Sequence, residues 1–168
     1  LKSGGDDVMD LSVDERVAFV PMGGGTLQQW VAERYLRGFG RPEFHLYDND
    51  VDKYRAAIDA VNARTDGSRG RMTVRREMEN YLHPTVIETV FRMPVNFGHD
   101  DDLPKIISDR LKADDSQRSL NVGKVKAWIA ERAFPLMTSE KIRLADPDGE
   151  IISWFKDIEL VITEARAV

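Results

Sequence analysis

With 168 residues, 42% hydrophobic and 32% charged, the chain suits one soluble globular domain large enough to bury a core. Its net charge of −5 argues against a generally basic nucleic-acid coat while leaving room for a local basic groove, and the absence of cysteine excludes disulfides, thiolate zinc sites and cysteine nucleophiles. No apolar run approaches the roughly 18 residues of a membrane span and no signal peptide is visible, so a cytoplasmic protein without membrane contact is expected.

Residues 1–15 are polar and glycine-containing and read as a tail or linker, leaving 16–168 as the domain. Because the chain opens on Leu1 rather than methionine, a fragment of a longer protein is expected. Arg16–Met22 reads as a buried strand, followed by Gly23-Gly24-Gly25. Those glycines lack both a Gly-x-Gly-x-x-Gly spacing and a Walker lysine, so a tight strand-to-helix turn is favoured over a phosphate loop. Thr26 and Gln29 have capping-box spacing, and Leu27, Trp30, Val31 and Tyr35 mark a helical apolar face that Gly38 and Gly40 end. Glu43–Tyr47 is a second strand. Tyr54, Ala57, Ile58 and Val61 recur at helical spacing, and the turn Asp66-Gly67-Ser68 leads into a third strand, Arg69–Val74. Strand, helix, strand, helix, strand predicts an α/β fold with a mainly parallel sheet flanked by helices.

Met93–Phe97 is a candidate fourth strand, and His83-Pro84 reads as a turn. The second half is otherwise more helical. Asp102 and Pro104 begin a helix through Lys112, and Val122, Val125 and Ile129 mark one over Asn121–Phe134 that stops near Pro135. Thr138–Leu144 is a short helix. A last one, capped by Asp148, turns Ile151, Trp154, Phe155, Ile158 and Ile162 to the core. Trp30, Trp128 and Trp154 lie on apolar helix faces, which favours packing over base stacking.

The chemistry concentrates after the second strand, where Leu46-Tyr47 opens into Asp48-Asn49-Asp50. Ligands of open α/β sheets bind beyond the carboxyl ends of the strands. An Asp-x-Asp there offers two hard oxygens suited to Mg²⁺ or Mn²⁺, although turn-forming Asp and Asn are common at strand ends in any case. Arg76-Glu77-Met78-Glu79-Asn80-Tyr81-Leu82 follows the third strand, so Glu77 and Glu79 are expected at the same sheet edge. In extended chain both would point one way; in a helix they diverge, and acids at a helix start have their own electrostatic reason to be there. Carboxylates crowded on one rim repel unless cations neutralise them, and a one- or two-metal site relieves that.

The glycine turn, Leu-Tyr-Asp-Asn-Asp and Arg-Glu-Met-Glu-Asn-Tyr-Leu together resemble the Toprim catalytic domain of OLD-family (overcoming-lysogenization-defect) ATP-dependent nucleases, over Arg16 to Leu160. The resemblance implies a compact Rossmann-like domain that cuts DNA with Mg²⁺ or Mn²⁺ and serves an ABC-type ATPase domain, in cis or trans, in phage defence or DNA processing. No Walker motif occurs in this chain, so that ATPase would lie elsewhere. Among assemblies, a homo-oligomer is entertained. The family pattern places metal ligands at Asp48 and Asp50 and its later acidic residue at Glu77 or Glu79. It also carries a functional lysine in the region of Lys124 and Lys126, with Lys124 preferred as the catalytic one. One departure is plain. The glutamate that usually ends the first strand is missing from Val20-Pro21-Met22-Gly23. Asp52, extending the motif to Asp-x-Asp-x-Asp, or Glu77 with Glu79, would then complete the site.

Arg64, Arg69, Arg71, Arg75 and Arg76 are the densest basic stretch. Strand alternation puts Arg69, Arg71 and Arg75 on one face, as phosphate contacts beside Arg76 and Lys126 or as an ordinary solvated face. Asp100-Asp101-Asp102 reads as capping, and His45, His83 and His99 lack metal-ligand spacing. Two alternatives stand. A degenerate Toprim domain would bind nucleic acid or a partner ATPase without cutting. A glycosyltransferase would use Asp-x-Asp for a nucleotide-sugar metal but leaves Arg-Glu-x-Glu-Asn-Tyr unexplained.

Overall fold

The computed structural model describes residues 9–20, 27–113 and 120–165, in two compact units: residues 9–73 with 150–165, and residues 74–149. The first unit holds the sheet. In chain order it contains helix α1 (Leu27–Glu33), strand β1 (Phe44–Tyr47), helix α2 (Lys53–Asn62) and strand β2 (Arg69–Met72). The strands are parallel, with Phe44 beside Arg69 and Tyr47 beside Met72, so β1, α2 and β2 form the β-α-β unit that the alternating pattern predicts.

Helix α2 buries Tyr54, Ala57 and Val61, three- and four-residue steps that bring one stripe against the sheet. Gly70 permits the close approach: a Cβ there would stand 3.4 Å from Ile58 and Val61 atoms. The N–H groups of Arg69 and Thr73 point to β1, donating to the carbonyls of Glu43 and Tyr47 at 2.8 Å each. Gly70, between them, faces the other way. Asn62 meets it there, accepting the Gly70 N–H at 2.7 Å and donating to its carbonyl at 3.1 Å. One side-chain amide thus does for Gly70 what a third strand would do.

Two predicted strands are not strands. Over residues 16–20 the chain is irregular; residues 21–22 of the first prediction, the glycine triplet and Thr26 lie outside the described residues. Asp14 draws the start of this run into a turn, accepting from the Arg16 backbone and guanidinium at 3.0 and 2.7 Å, while Val17 N–H donates to the Asp14 carbonyl. Met93–Phe97 fails for another reason. Pro94 has no N–H for a ladder, its carbonyl accepts from Arg110 at 2.6 Å, and buried Val95 packs among helices. The third predicted strand ends at Met72, two residues early. Helix α1 also ends early, at Glu33: Arg34 takes a left-handed backbone with φ of 47° while its guanidinium pairs with Asp66. Tyr35 therefore lies past the helix and exposed, not on its buried face.

Among its described residues the regular elements of the second unit are all helical, chiefly α3 (Pro84–Phe91), α4 (Leu103–Ala113), α5 (Val122–Trp128) and α6 (Ser139–Ala145), joined by irregular segments. Helix α3 stands where the sequence suggests a turn. His83 is its N-cap and Pro84 its first residue, and Val86, Ile87 and Phe91 face inward. As predicted, Asp102 caps α4, accepting from Lys105 N–H at 3.0 Å; Thr138, the first residue of the short helix expected from the sequence, is the N-cap of α6. Helix α5 runs on as a π turn, Ile129–Ala133, and then as a 3-10 turn, Phe134–Leu136, that accommodates Pro135 in its first positions and ends at Met137. Leu82, Ile87, Leu103, Ile107, Val125 and Ile129 are all essentially inaccessible in this unit's core.

The chain then returns to the first unit as α7 (Glu150–Glu164), whose Trp154 and Val161 are buried and whose other predicted core positions are half-buried. Near the other end of the described chain, Met9 N–H donates to Glu159 of this helix at 2.7 Å and Leu11 is buried. No helix among the described residues is long and apolar enough to cross a membrane.

Candidate functional site

Strand β1 delivers Asp48, and the turn that follows carries Asn49 and Asp50. Both sides of Asp48 are tied to Thr73. Thr73 N–H donates to the Tyr47 carbonyl at 2.8 Å, and Asn49 N–H donates to Thr73 Oγ1 at 3.1 Å. Asp48 is half-buried and Asp50 exposed. Asp52 projects into solvent, with Arg55 Nε 4.0 Å away as its ion-pair neighbour. Tyr54, one turn into α2, registers the first two acids: burial, then the charges of Asp50 and Asp48, push its phenol above the ordinary range. Both carboxylates thus act on the same phenol. As a donor set they suit Mg²⁺ or Mn²⁺, which commonly bind through one or two carboxylates and complete their shell with water and substrate phosphate.

Beneath this turn lies a polar chain that the sequence did not disclose. Glu43, His45 and Tyr47 alternate along β1 and so share a face. His45 Nε2 lies 2.7 Å from Glu43 Oε2, and His45 Nδ1 lies 3.0 Å from the Tyr47 hydroxyl. Arg64 closes the far end, donating to Glu43 at 3.0 Å and to the Val31 carbonyl at 3.2 Å. The side chains of Arg64 and His45 are 6% and 9% exposed, so these groups answer one another rather than water. Burial lowers the His45 pKa, outweighing the hydrogen bond it donates to Glu43, which raises it. Tyr47 is pushed up to about 12, chiefly by burial. Glu-x-His-x-Tyr on a strand was the available signal; a histidine without metal-ligand spacing drew no attention to it.

The other predicted acids belong to the second unit. Glu77 is the N-cap of a 3-10 turn, Met78–Tyr81, in a reciprocal capping box with Asn80. The helix-start alternative therefore describes its backbone role. Its carboxylate is buried, and Lys126 Nζ lies 3.2 Å from Glu77 Oε2 and 4.0 Å from Glu79 Oε1. Between the two lysines, Lys126 is thus the one brought to the acids. Lys124 is exposed on α5, where its backbone N–H receives the Asn121 cap at 2.9 Å.

The arginines divide as well. Arg69 and Arg71 share a face of β2, as alternation predicts, and both pair with α7: Arg69 Nη2 lies 3.2 Å from Glu164, and Arg71 engages Asp157 and, at 2.8 Å, Ser153. Arg75 does not join them, because β2 has ended. It is buried in the second unit, donating to the carbonyls of Asn80 at 2.7 Å and of Ala145, with its guanidinium 4.5 Å from the Tyr81 ring centroid. Arg76 is half-buried beside it, its N–H donating to the His99 carbonyl at 2.9 Å. Among Asp100–Asp102, Asp101 accepts from Gly98 N–H at 2.6 Å and Asp102 caps α4.

Among the described residues no group of three or more His, Asp or Glu side chains is placed as a metal cluster. Comparison of the chain with protein-family models, with curated proteins and with solved structures finds no match.

Proposed function

We propose that this chain is a Toprim-like, divalent-metal-dependent DNA nuclease domain of the OLD type, acting in the cytoplasm with an ABC-type ATPase domain in cis or trans, in phage defence or DNA processing. The observation that supports it is the Asp48-Asn49-Asp50 turn at the carboxyl end of β1, within a parallel β-α-β unit, where α/β enzymes hold their ligands. Asp48 and Asp50 would hold Mg²⁺ or Mn²⁺. Such a metal, when bound, supplies Lewis-acid activation of a phosphodiester and of an attacking water.

The chain's own groups divide the remaining work. Asp48 and Asp50 concentrate negative charge at one strand end, which would attract the cation and, without it, would repel a substrate phosphate. A lysine offsets charge developing on the phosphoryl oxygens, and Lys126, already beside Glu77 and Glu79, is better placed for a role with those acids than Lys124. With no first-strand glutamate, proton removal falls to a carboxylate of the same unit, Asp52, exposed two residues beyond Asp50. The test is nicking of supercoiled plasmid by the full-length protein with ATP and Mn²⁺ or Mg²⁺. Replacing Asp48 and Asp50 by Asn is expected to abolish nicking while leaving the melting temperature within a few degrees.

A second reading is a non-catalytic Toprim-like domain that binds nucleic acid or a partner ATPase. Its support is Glu77, whose carboxylate already caps a helical turn and pairs with Lys126. Retention of DNA or ATPase binding with no nicking under any metal condition would decide for it.

A further inference from the structure

We infer that Thr73 is the positioning residue of the Asp48–Asp50 turn, an inference that rests on the metal-site reading of that turn. Thr73 is 2% exposed and stands one residue beyond β2. It is the point where the second strand grips the end of the first. Its N–H holds the Tyr47 carbonyl at 2.8 Å and its hydroxyl oxygen receives the Asn49 N–H at 3.1 Å. The two bonds bracket Asp48 from either side, so the Asp48 backbone is fixed relative to the sheet rather than left to a free loop. A metal site needs its ligands held before the ion arrives, because ordering them afterwards opposes binding.

The two bonds are also separable by chemistry. The backbone N–H survives any substitution except proline, whereas the hydroxyl acceptor is lost in valine, which keeps the shape and β-branching of threonine. Serine keeps the hydroxyl and discards only the methyl. Hydroxyl chemistry, not volume, should therefore govern the ligand geometry.

The experiment titrates Mn²⁺ alone into the intact chain and follows loss of the free-ion electron paramagnetic resonance signal. The wild-type chain, Thr73→Val, Thr73→Ser and the Asp48→Asn/Asp50→Asn double variant are compared at a temperature well below every melting transition. Thr73→Val is expected to weaken Mn²⁺ binding on the order of tenfold, the scale of a lost supporting hydrogen bond around a metal site. Thr73→Ser should stay within about twofold of wild type. Wild-type binding that the double Asn variant abolishes, with Thr73→Val binding unchanged, overturns the role of Thr73 and leaves the metal site standing. Binding that is absent, or unaffected by the double Asn variant, overturns the metal-site reading itself. If Thr73→Val does not fold, Thr73→Ser carries the test together with hydrogen exchange of the Asn49 amide. Protection equal to wild type with equal affinity supports the role, and loss of affinity with that protection intact overturns it.

Discussion

His45 sits between an acid and a phenol, and its protonation follows from that enclosure. Neutral imidazole satisfies both neighbours: Nε2–H donates to Glu43 and Nδ1 accepts the Tyr47 hydroxyl. Burial holds the folded-state pKa below the ordinary 6.5, so the unfolded chain takes up a proton before the folded one does. Linkage then fixes the sign. The contribution of His45 to stability is complete above about pH 6.5 and declines as pH falls from there toward the lower folded value. Thermal melts between pH 7.5 and pH 5 should show the transition falling with acidity, and His45→Gln should flatten that slope. A slope that persists in His45→Gln assigns it to other groups. Asp66, where burial that raises the carboxyl pKa is outweighed by hydrogen bonds from Ser68 and the charges of Arg34 and Arg64 that lower it below 3.8, titrates in a separate and more acidic window. Little of this was legible beforehand, because sequence shows that three residues share a strand face but not that Arg64 arrives from another element to close the chain. The lysine pair shows the same limit. Lys124 and Lys126 diverge by about 200° around a helix, and only the packed structure says which azimuth meets Glu77.

At the scale of elements, the informative contact is Asn62 against Gly70. A two-stranded parallel sheet leaves outward amides on both edges, and an unpaired edge is a liability. The Asn62 amide supplies one donor and one acceptor to the same residue of β2, from the last turn of the helix that crosses the sheet. Asn62→Ala leaves the Gly70 N–H and carbonyl without that partner and is expected to cost about 1–3 kcal/mol in urea denaturation. Asn62→Asp, which keeps an acceptor but no donor, should fall between. Helices with an apolar stripe, such as α2 and α7, were readable in the sequence because periodicity survives any context, and α4 was readable from its start signals Asp102 and Pro104. Helix α3 was not, since Pro84 suits the first turn of a helix as well as it suits a loop. The strand predicted at Arg16 shows the converse. Its residues favour extended structure, yet within 16–20 the local Asp14 turn prevails, and Phe19 is 69% exposed.

Over the whole molecule, hydrophobic burial is divided between two cores. The larger gathers α3, α4 and α5 around Ile107 and Ile129, both with no exposed surface. Ile107→Ala is expected to cost about 2–5 kcal/mol, the range of a buried aliphatic deletion that leaves a cavity, and calorimetry of the second unit's transition would measure it. The smaller core joins Tyr47, Tyr54, Ala57 and Val61 beneath the Asp48 turn. The α/β class and the helical second half were visible in the alternation of patterns. The division into two units was not, because no linker-like composition marks Thr73–Val74 or Gly149–Glu150.

That division is discontinuous: residues 74–149 interrupt the first unit, and α7 rejoins it across them. During synthesis, β1, α2 and β2 leave the ribosome long before Asp157 and Glu164, the partners of Arg71 and Arg69. Until α7 emerges, those arginines lack the acidic partners it supplies. An order of assembly follows from connectivity alone: the segment bearing Asp48 is made early, and the helix that meets its sheet arrives late. A chain stalled before α7 would carry the acidic turn on a strand pair packed by α2 but lacking the ion pairs of Arg69 and Arg71, which makes α7 the element whose arrival completes the first unit.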